Sequence, residues 1–181
     1  MDFFDTVAGR HCYRGPLDPT PIPRADLTRV VAAGCAAPSG KNAQTTTFVV
    51  VDDPAVLARI RPLHTQVAWQ QAPAMIACIT DKAPAPVYHG FSFAVEDCAA
   101  AVQTMLLAMT ALGYASVWVD GAIRLEGRAQ ILADILGLPE DKTIRVVLPV
   151  GRPLEPAASP PKKAVGERAW YNRYGEDTVG A

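Results

Sequence analysis

Two arginines and a histidine fall within five residues near the start of the chain, Arg10, His11 and Arg14, with Gly9 and Gly15 on either side. Two guanidinium groups at this spacing can grip one phosphate from two sides, by directed hydrogen bonds as well as by charge. Cys12 lies between them. A solvated basic turn has the same spacing, so the cluster alone leaves both readings open. A second cluster, Pro38-Ser39-Gly40-Lys41-Asn42-Ala43-Gln44, precedes a β-branched run. Asn42 and Gln44 carry both donors and acceptors and can read the polar edge of a flat heterocycle or a polyol chain. Pro38-Ser39-Gly40 also serves simply to end a helix. A third, Asp120-Gly121, follows an apolar run, where the glycine lets the backbone approach a ligand closely. Lys162-Lys163, near the end, either completes an anion site or is solvated.

Other chemistries are absent from the residues. No G-x-G-x-x-G and no G-x-x-x-x-G-K-[ST] occurs, which removes the usual dinucleotide and triphosphate loops. There is no H-E-x-x-H, and His11, His64 and His89 are too scattered to suggest a metal site. His11 beside Cys12 invites a thiol–imidazole reading, but adjacent side chains on an extended segment point apart. The formal net charge of −1 offers no field for nucleic acid or an acidic membrane. The four cysteines, Cys12, Cys35, Cys78 and Cys98, form no C-x-x-C pair, and three lie in apolar runs. With an acidic start at Asp2 and Asp5, this leads us to expect a reduced, cytoplasmic protein without a signal segment.

The elements that must hold these residues follow from periodicity. Helices are expected over residues 2–8, 27–35, 54–61, 94–112 and 124–136, and strands over 45–51, 74–80, 115–119 and 143–150. Asp53-Pro54 has the cap-and-first-turn pattern of a helix start, and Gly137-Leu138-Pro139 that of a helix end. The run from 94 to 112 is apolar almost all round but interrupted by Glu96, Asp97, Gln103 and Thr104, so it reads as a buried helix rather than a span. Few strands among many helices make an α+β or α/β arrangement around one sheet, and a length of 181 residues suits a single domain over 1–181. Half the residues are hydrophobic, which favours a subunit interface.

Taken in order, Arg10-His11-Cys12-Tyr13-Arg14 and Ala37-Pro38-Ser39-Gly40-Lys41-Asn42-Ala43-Gln44 resemble the N-terminal signature of the nitroreductase family. The stretch 97–119 resembles that family's Asp-x5-Gln-x3-Leu-x5-Gly helix leading into a strand. Leu136-Gly137-Leu138-Pro139 and Leu148-Pro149-Val150-Gly151-Arg152-Pro153 match its later landmarks. The resemblance spans residues 3–174. It implies an α+β, three-layer α/β/α fold with a mixed, mostly antiparallel sheet, a long buried central helix and a C-terminal tail reaching a partner subunit. It also implies a homodimer with FMN at the subunit interface, NADH or NADPH as electron donor, and a small organic acceptor.

Carried over position by position, the resemblance gives Arg10 and Arg14 to the FMN phosphate and sets His11 and Cys12 along the phosphate, ribityl chain or ring edge. Pro38, Ser39, Gly40, Asn42 and Gln44, from the opposite subunit, line the same cofactor. Asp120 and Gly121 present backbone groups near the hydride-accepting ring nitrogen, and Lys162 or Lys163 completes the phosphate site. Flavin carries the chemistry in such enzymes, so no catalytic side chain is named. Nicotinamide and acceptor then use the same space in turn, in ping-pong fashion. Trp69, Tyr88, Phe91 and Phe93 could wall that space or simply pack in the core. The chain departs from the family at Cys12, where serine is usual, and at Thr45-Thr46, where many members carry Pro-Trp. The short segment between Asp81 and Phe91 implies reduced lid insertions. Other FMN reactions, such as dehalogenation or enone reduction, and a flavin-binding protein without turnover remain alternatives.

Overall fold

The computed structural model describes residues 2–156 and 159–180. In chain order its elements are α1 (Phe3–Gly9), α2 (Arg24–Cys35), β1 (Thr47–Val51), α3 (Pro54–Ile60), α4 (Val67–Gln71), β2 (Ala74–Asp81), α5 (Ala94–Ala111), β3 (Ala115–Ser116), α6 (Arg128–Leu136) and β4 (Lys142–Gly151). The strands pair in the order β1-β2-β4-β3, each pair antiparallel. The parallel component is an isolated bridge between Cys12 and Ser116.

Alternating side chains on the two central strands divide the core. Ala74, Ile76 and Cys78 of β2, with Val146, Leu148 and Val150 of β4, pack under α2 and α5 against Leu27, Val30, Val102 and Met105. Met75, Ala77 and Ile79, with Ile144 and Val147, face the opposite layer, where Leu57, Ile60, Trp69 and Leu132 from α3, α4 and α6 cover them. The result is the expected three layers, helices on both faces of one sheet. The two rows stay in step because of a bulge. Cys78 faces Val146 and Ile79 faces Ile144, so Arg145 is an extra residue and the inward face of β4 changes parity there.

Local capping matches the sequence reading. Asp53 accepts the amides of Ala55 (2.7 Å) and Val56 (3.3 Å), with Pro54 in the first turn. Gly137 ends α6 in the left-handed region at φ 67°. β1 begins two residues late, at Thr47, and two other elements are cut back further. The strand over 115–119 keeps only Ala115–Ser116, and Val119 rejoins β4 through Val147. Continuing the register of Ser116 with Val150 puts Val117 opposite Pro149, which has no N–H to give, so the ladder breaks there. The helix expected from 124 begins at Arg128, because Glu126 (φ 54°) and Gly127 (φ 68°) are left-handed and cannot join it.

The central helix α5 is not enclosed on all sides. Cys98, Val102, Met105 and Met109 are buried, while Val95, Glu96, Gln103 and Ala111 are exposed. Beside it, α1 presents Phe3 at 66% and Phe4 at 80% exposure. No helix among the described residues is long and apolar enough to cross a membrane.

Candidate functional site

The basic turn is built by the end of α1 and one strand edge. Arg10 caps α1, its amide bonded to the Thr6 carbonyl at 3.0 Å. Two residues on, Cys12 pairs with Ser116, and the Tyr13 amide donates to the Ser116 carbonyl at 2.8 Å. Tyr13 is buried, and its hydroxyl donates to the Pro16 carbonyl at 2.8 Å. These bonds pin residues 10–16 to the sheet. Among the described residues neither Arg10 nor Arg14 has a carboxylate partner; Arg14 reaches only the Cys12 carbonyl, at 3.4 Å.

His11 Nδ1 lies 2.9 Å from the Gly9 carbonyl oxygen, while its Nε2 is buried without a hydrogen-bond partner. The same is true of Ser116 Oγ. Both residues line a cavity of about 160 Å³ together with Gly9, Thr110 and Tyr114. Two buried polar atoms without protein partners on one cavity wall suit a polar ligand or a bound water.

The second cluster is a strained loop. Gly40–Asn42 forms one 3₁₀ turn, and Lys41, Asn42 and Gln44 all have positive φ, at 53°, 55° and 50°. Ser39 Oγ accepts the Gln44 amide at 3.0 Å. Asp97, in the first turn of α5, accepts the Gly40 amide at 2.8 Å on Oδ1 and the Thr45 hydroxyl at 2.9 Å on Oδ2. Sequence reasoning missed Asp97 as part of this loop. The available signal was an acidic residue in the first turn of an otherwise apolar helix.

Tyr88 and Phe91 share a tight turn, in which the Phe91 amide donates to the Tyr88 carbonyl at 2.8 Å. Lys41 Nζ lies 4.8 Å from the centre of the Tyr88 ring, so this turn meets the loop. Phe93 packs under Gly40. Three of the four candidate wall residues therefore gather around the loop. Trp69 does not: it is fully buried on the far side of the sheet, its Nε1–H shared between the carbonyls of Ile60 (3.3 Å) and Arg61 (3.2 Å).

Asp120 follows Val119, which bridges Val147 midway along β4, and is held by Arg124, whose Nε and Nη2 donate to its two oxygens at 2.5 and 2.6 Å. This pair raises the Arg124 guanidinium above its ordinary value, by hydrogen bond first and charge second. The space beside Gly121 is open, with no atom within 4 Å of where a Cβ would stand. Lys162 and Lys163 are exposed, and among the described residues neither forms an ion pair.

Within one chain the first two clusters lie apart. Gly9 packs near Thr110 towards the C-terminal end of α5, whereas the loop 38–44 is tied to Asp97 at its start. Thirteen helical residues at about 1.5 Å each separate the two attachment points by roughly 20 Å.

The sequence model described as "Nitroreductase family" matches residues 7–75 and 61–152. An Archaeoglobus fulgidus protein provisionally named NADH dehydrogenase/NAD(P)H nitroreductase is 32% identical over 130 residues, covering 71% of this chain and 72% of the relative. A crystal structure from Bacteroides thetaiotaomicron with the same provisional name is 27% identical, with a TM-score of 0.79 over 95% of this chain and 98% of that one. The structure of a Bacteroides fragilis nitroreductase with bound FMN superposes with a TM-score of 0.74 at 23% identity, covering 99% and 98%.

Proposed function

The chain belongs to the nitroreductase family, and on that premise we propose that it is an FMN-dependent oxidoreductase that takes electrons from NADH or NADPH and passes them to a small organic acceptor, such as a nitroaromatic compound or a quinone. The observation that carries this reading is the pair Arg10 and Arg14, held on a turn pinned to Ser116 and left without carboxylate partners among the described residues. Two guanidinium groups free of carboxylates suit an anion, and a flavin phosphate fits this donor set.

The residues present suit the rest of the cofactor. His11 and Cys12 would lie along it beyond the phosphate, with the open His11 Nε2 and Ser116 Oγ available for direct or water-borne bonds. Pro38, Ser39, Gly40, Asn42 and Gln44 would line the ring and ribityl chain. Asp120 and Gly121 would offer backbone donors to the ring edge, the open space at Gly121 admitting a close approach. Lys162 or Lys163 would close the phosphate site. Bound FMN supplies two-electron transfer from nicotinamide and onward delivery to the acceptor. The chain itself contributes charge, backbone donors and a partly apolar wall of Tyr88, Phe91 and Phe93 that excludes water.

The separation of roughly 20 Å between the two clusters supports a homodimer in which the loop 38–44 of one copy meets the basic turn of the other. Exposed Phe3, Phe4, Val7 and Val95 on neighbouring helices supply apolar surface for such a contact. Four free cysteines suit a reducing cytoplasm.

The deciding measurement is the visible spectrum of the purified protein. Oxidised-flavin bands that bleach when NADH or NADPH is added without oxygen support the reading. A colourless protein that takes up no added FMN, or bound flavin that stays oxidised under excess NAD(P)H, refutes it.

A further inference from the structure

We propose that Asp97 is the positioning residue of this site: one buried carboxylate clamps both ends of the loop 40–45 and keeps its left-handed backbone in the shape that receives the flavin. The inference rests on the FMN reading above and deepens it.

Asp97 is only 6% exposed, and its two oxygens are spent on two partners more than fifty residues back in the chain, the Gly40 amide and the Thr45 hydroxyl. No cation pairs with it among the described residues. Both bonds are made at the amino end of the eighteen-residue α5. Burying a carboxylate without a cation is costly, so the arrangement is a poor way merely to stabilise a fold.

The loop between the two anchors is costly as well. Lys41, Asn42 and Gln44 carry side chains in a backbone region that favours glycine. Such a conformation persists only where its surroundings over-determine it. Asp97 fixes the flanks, Phe93 fills the space under Gly40, and the Ser39 hydroxyl closes the turn on Gln44. The second anchor depends on a hydroxyl side chain at position 45. Thr45 stands where, by the resemblance, many family members carry proline, which has no hydroxyl to donate.

Apo-protein titrated with FMN and with riboflavin, followed by flavin fluorescence, tests the assignment. Asp97→Ala should weaken both flavins by at least about tenfold and leave their ratio unchanged, because the loop serves the part of the ligand the two share. Asp97→Asn keeps an acceptor for Gly40 and gains a donor for the Thr45 oxygen, so it should stay within about threefold of the parent chain. Arg14→Ala should instead lower the preference for FMN over riboflavin. Asp97→Ala within about twofold of the parent for both flavins overturns the proposal, as does Asp97→Asn failing as badly as Asp97→Ala. If Asp97→Ala does not fold, Thr45→Val decides, since it removes one anchor and leaves the other: weaker binding of both flavins supports the clamp, and unchanged binding overturns it. A parent chain that binds neither flavin overturns the FMN reading itself, and the clamp with it.

Discussion

Gly40 lies directly on the ring of Phe93: a Cβ at this position would stand 2.3 Å from Cδ2 and 2.9 Å from Cγ of that ring. Glycine is required here by close approach, since the positive-φ residues of the loop are its neighbours. Gly40→Ala should therefore push the ring or the loop aside, at an overpacking cost of about 1–3 kcal/mol. A thermal melt of the apo-protein reads the stability loss, and FMN titration reads the accompanying loss of affinity. A variant equal to the parent in both would mean that the loop tolerates displacement.

Arg10→Ala and Arg14→Ala should each cost FMN affinity about 1.5–3 kcal/mol, roughly ten- to a hundredfold in Kd, as expected for hydrogen bonds to a charged group. Neither residue has a carboxylate partner among the described residues, so the melting temperature of the apo-protein should hardly change. Flavin retained through gel filtration and the apo melt separate the two effects.

Trp69→Phe should behave in the opposite way. The substitution removes the indole bonds to Ile60 and Arg61 inside the α3–α4 layer, for a loss of about 1–3 kcal/mol in stability. Flavin affinity and turnover at a temperature where the variant is folded should match the parent, because the sheet stands between this side chain and the α2–α5 layer. A selective change in acceptor KM would return Trp69 to the pocket wall.

Burial, followed by the charge of Arg128, holds the His64 imidazole below its ordinary value. The folded state thus prefers the neutral ring, while the unfolded chain takes up a proton near pH 6.5. The sign follows directly: this contribution is complete above about pH 6.5 and is lost as the pH falls through and below it. His64→Gln should flatten the dependence of denaturant midpoint on pH between 7 and 5. An unaltered slope would show that other groups carry it.

Much of this architecture was legible in one dimension. The periodicity of residues 94–112 and the β-branched run ending at Val51 gave two elements almost to their ends, and Asp53-Pro54 and Gly137 marked boundaries through cap chemistry that acts over a few residues. Where the reading failed, the cause was non-local. Pro149 breaks the pairing of residues 117–118 from the neighbouring strand, over thirty residues away. Trp69 looks like any exposed aromatic until the packing of α4 on the sheet is known, and five residues are too few to show a helical period. The clusters Arg10 to Arg14 and 38–44 are ambiguous singly and stood out through their order along the chain, which resembles a family signature. Asp97 did not, because its meaning lies in partners fifty residues away.

The bulge at Arg145 makes β4 one residue longer than its pairing with β2 requires. In a regular strand a single deletion turns every side chain beyond it to the wrong face. Here removal of Arg145 would bring Ile144 next to Val146 in the alternation both already follow, one facing each layer. The centre of the sheet thus contains one position at which the length of the gene can change by a codon without scrambling the pattern of inside and outside, while neighbouring positions in the same strand have no such latitude.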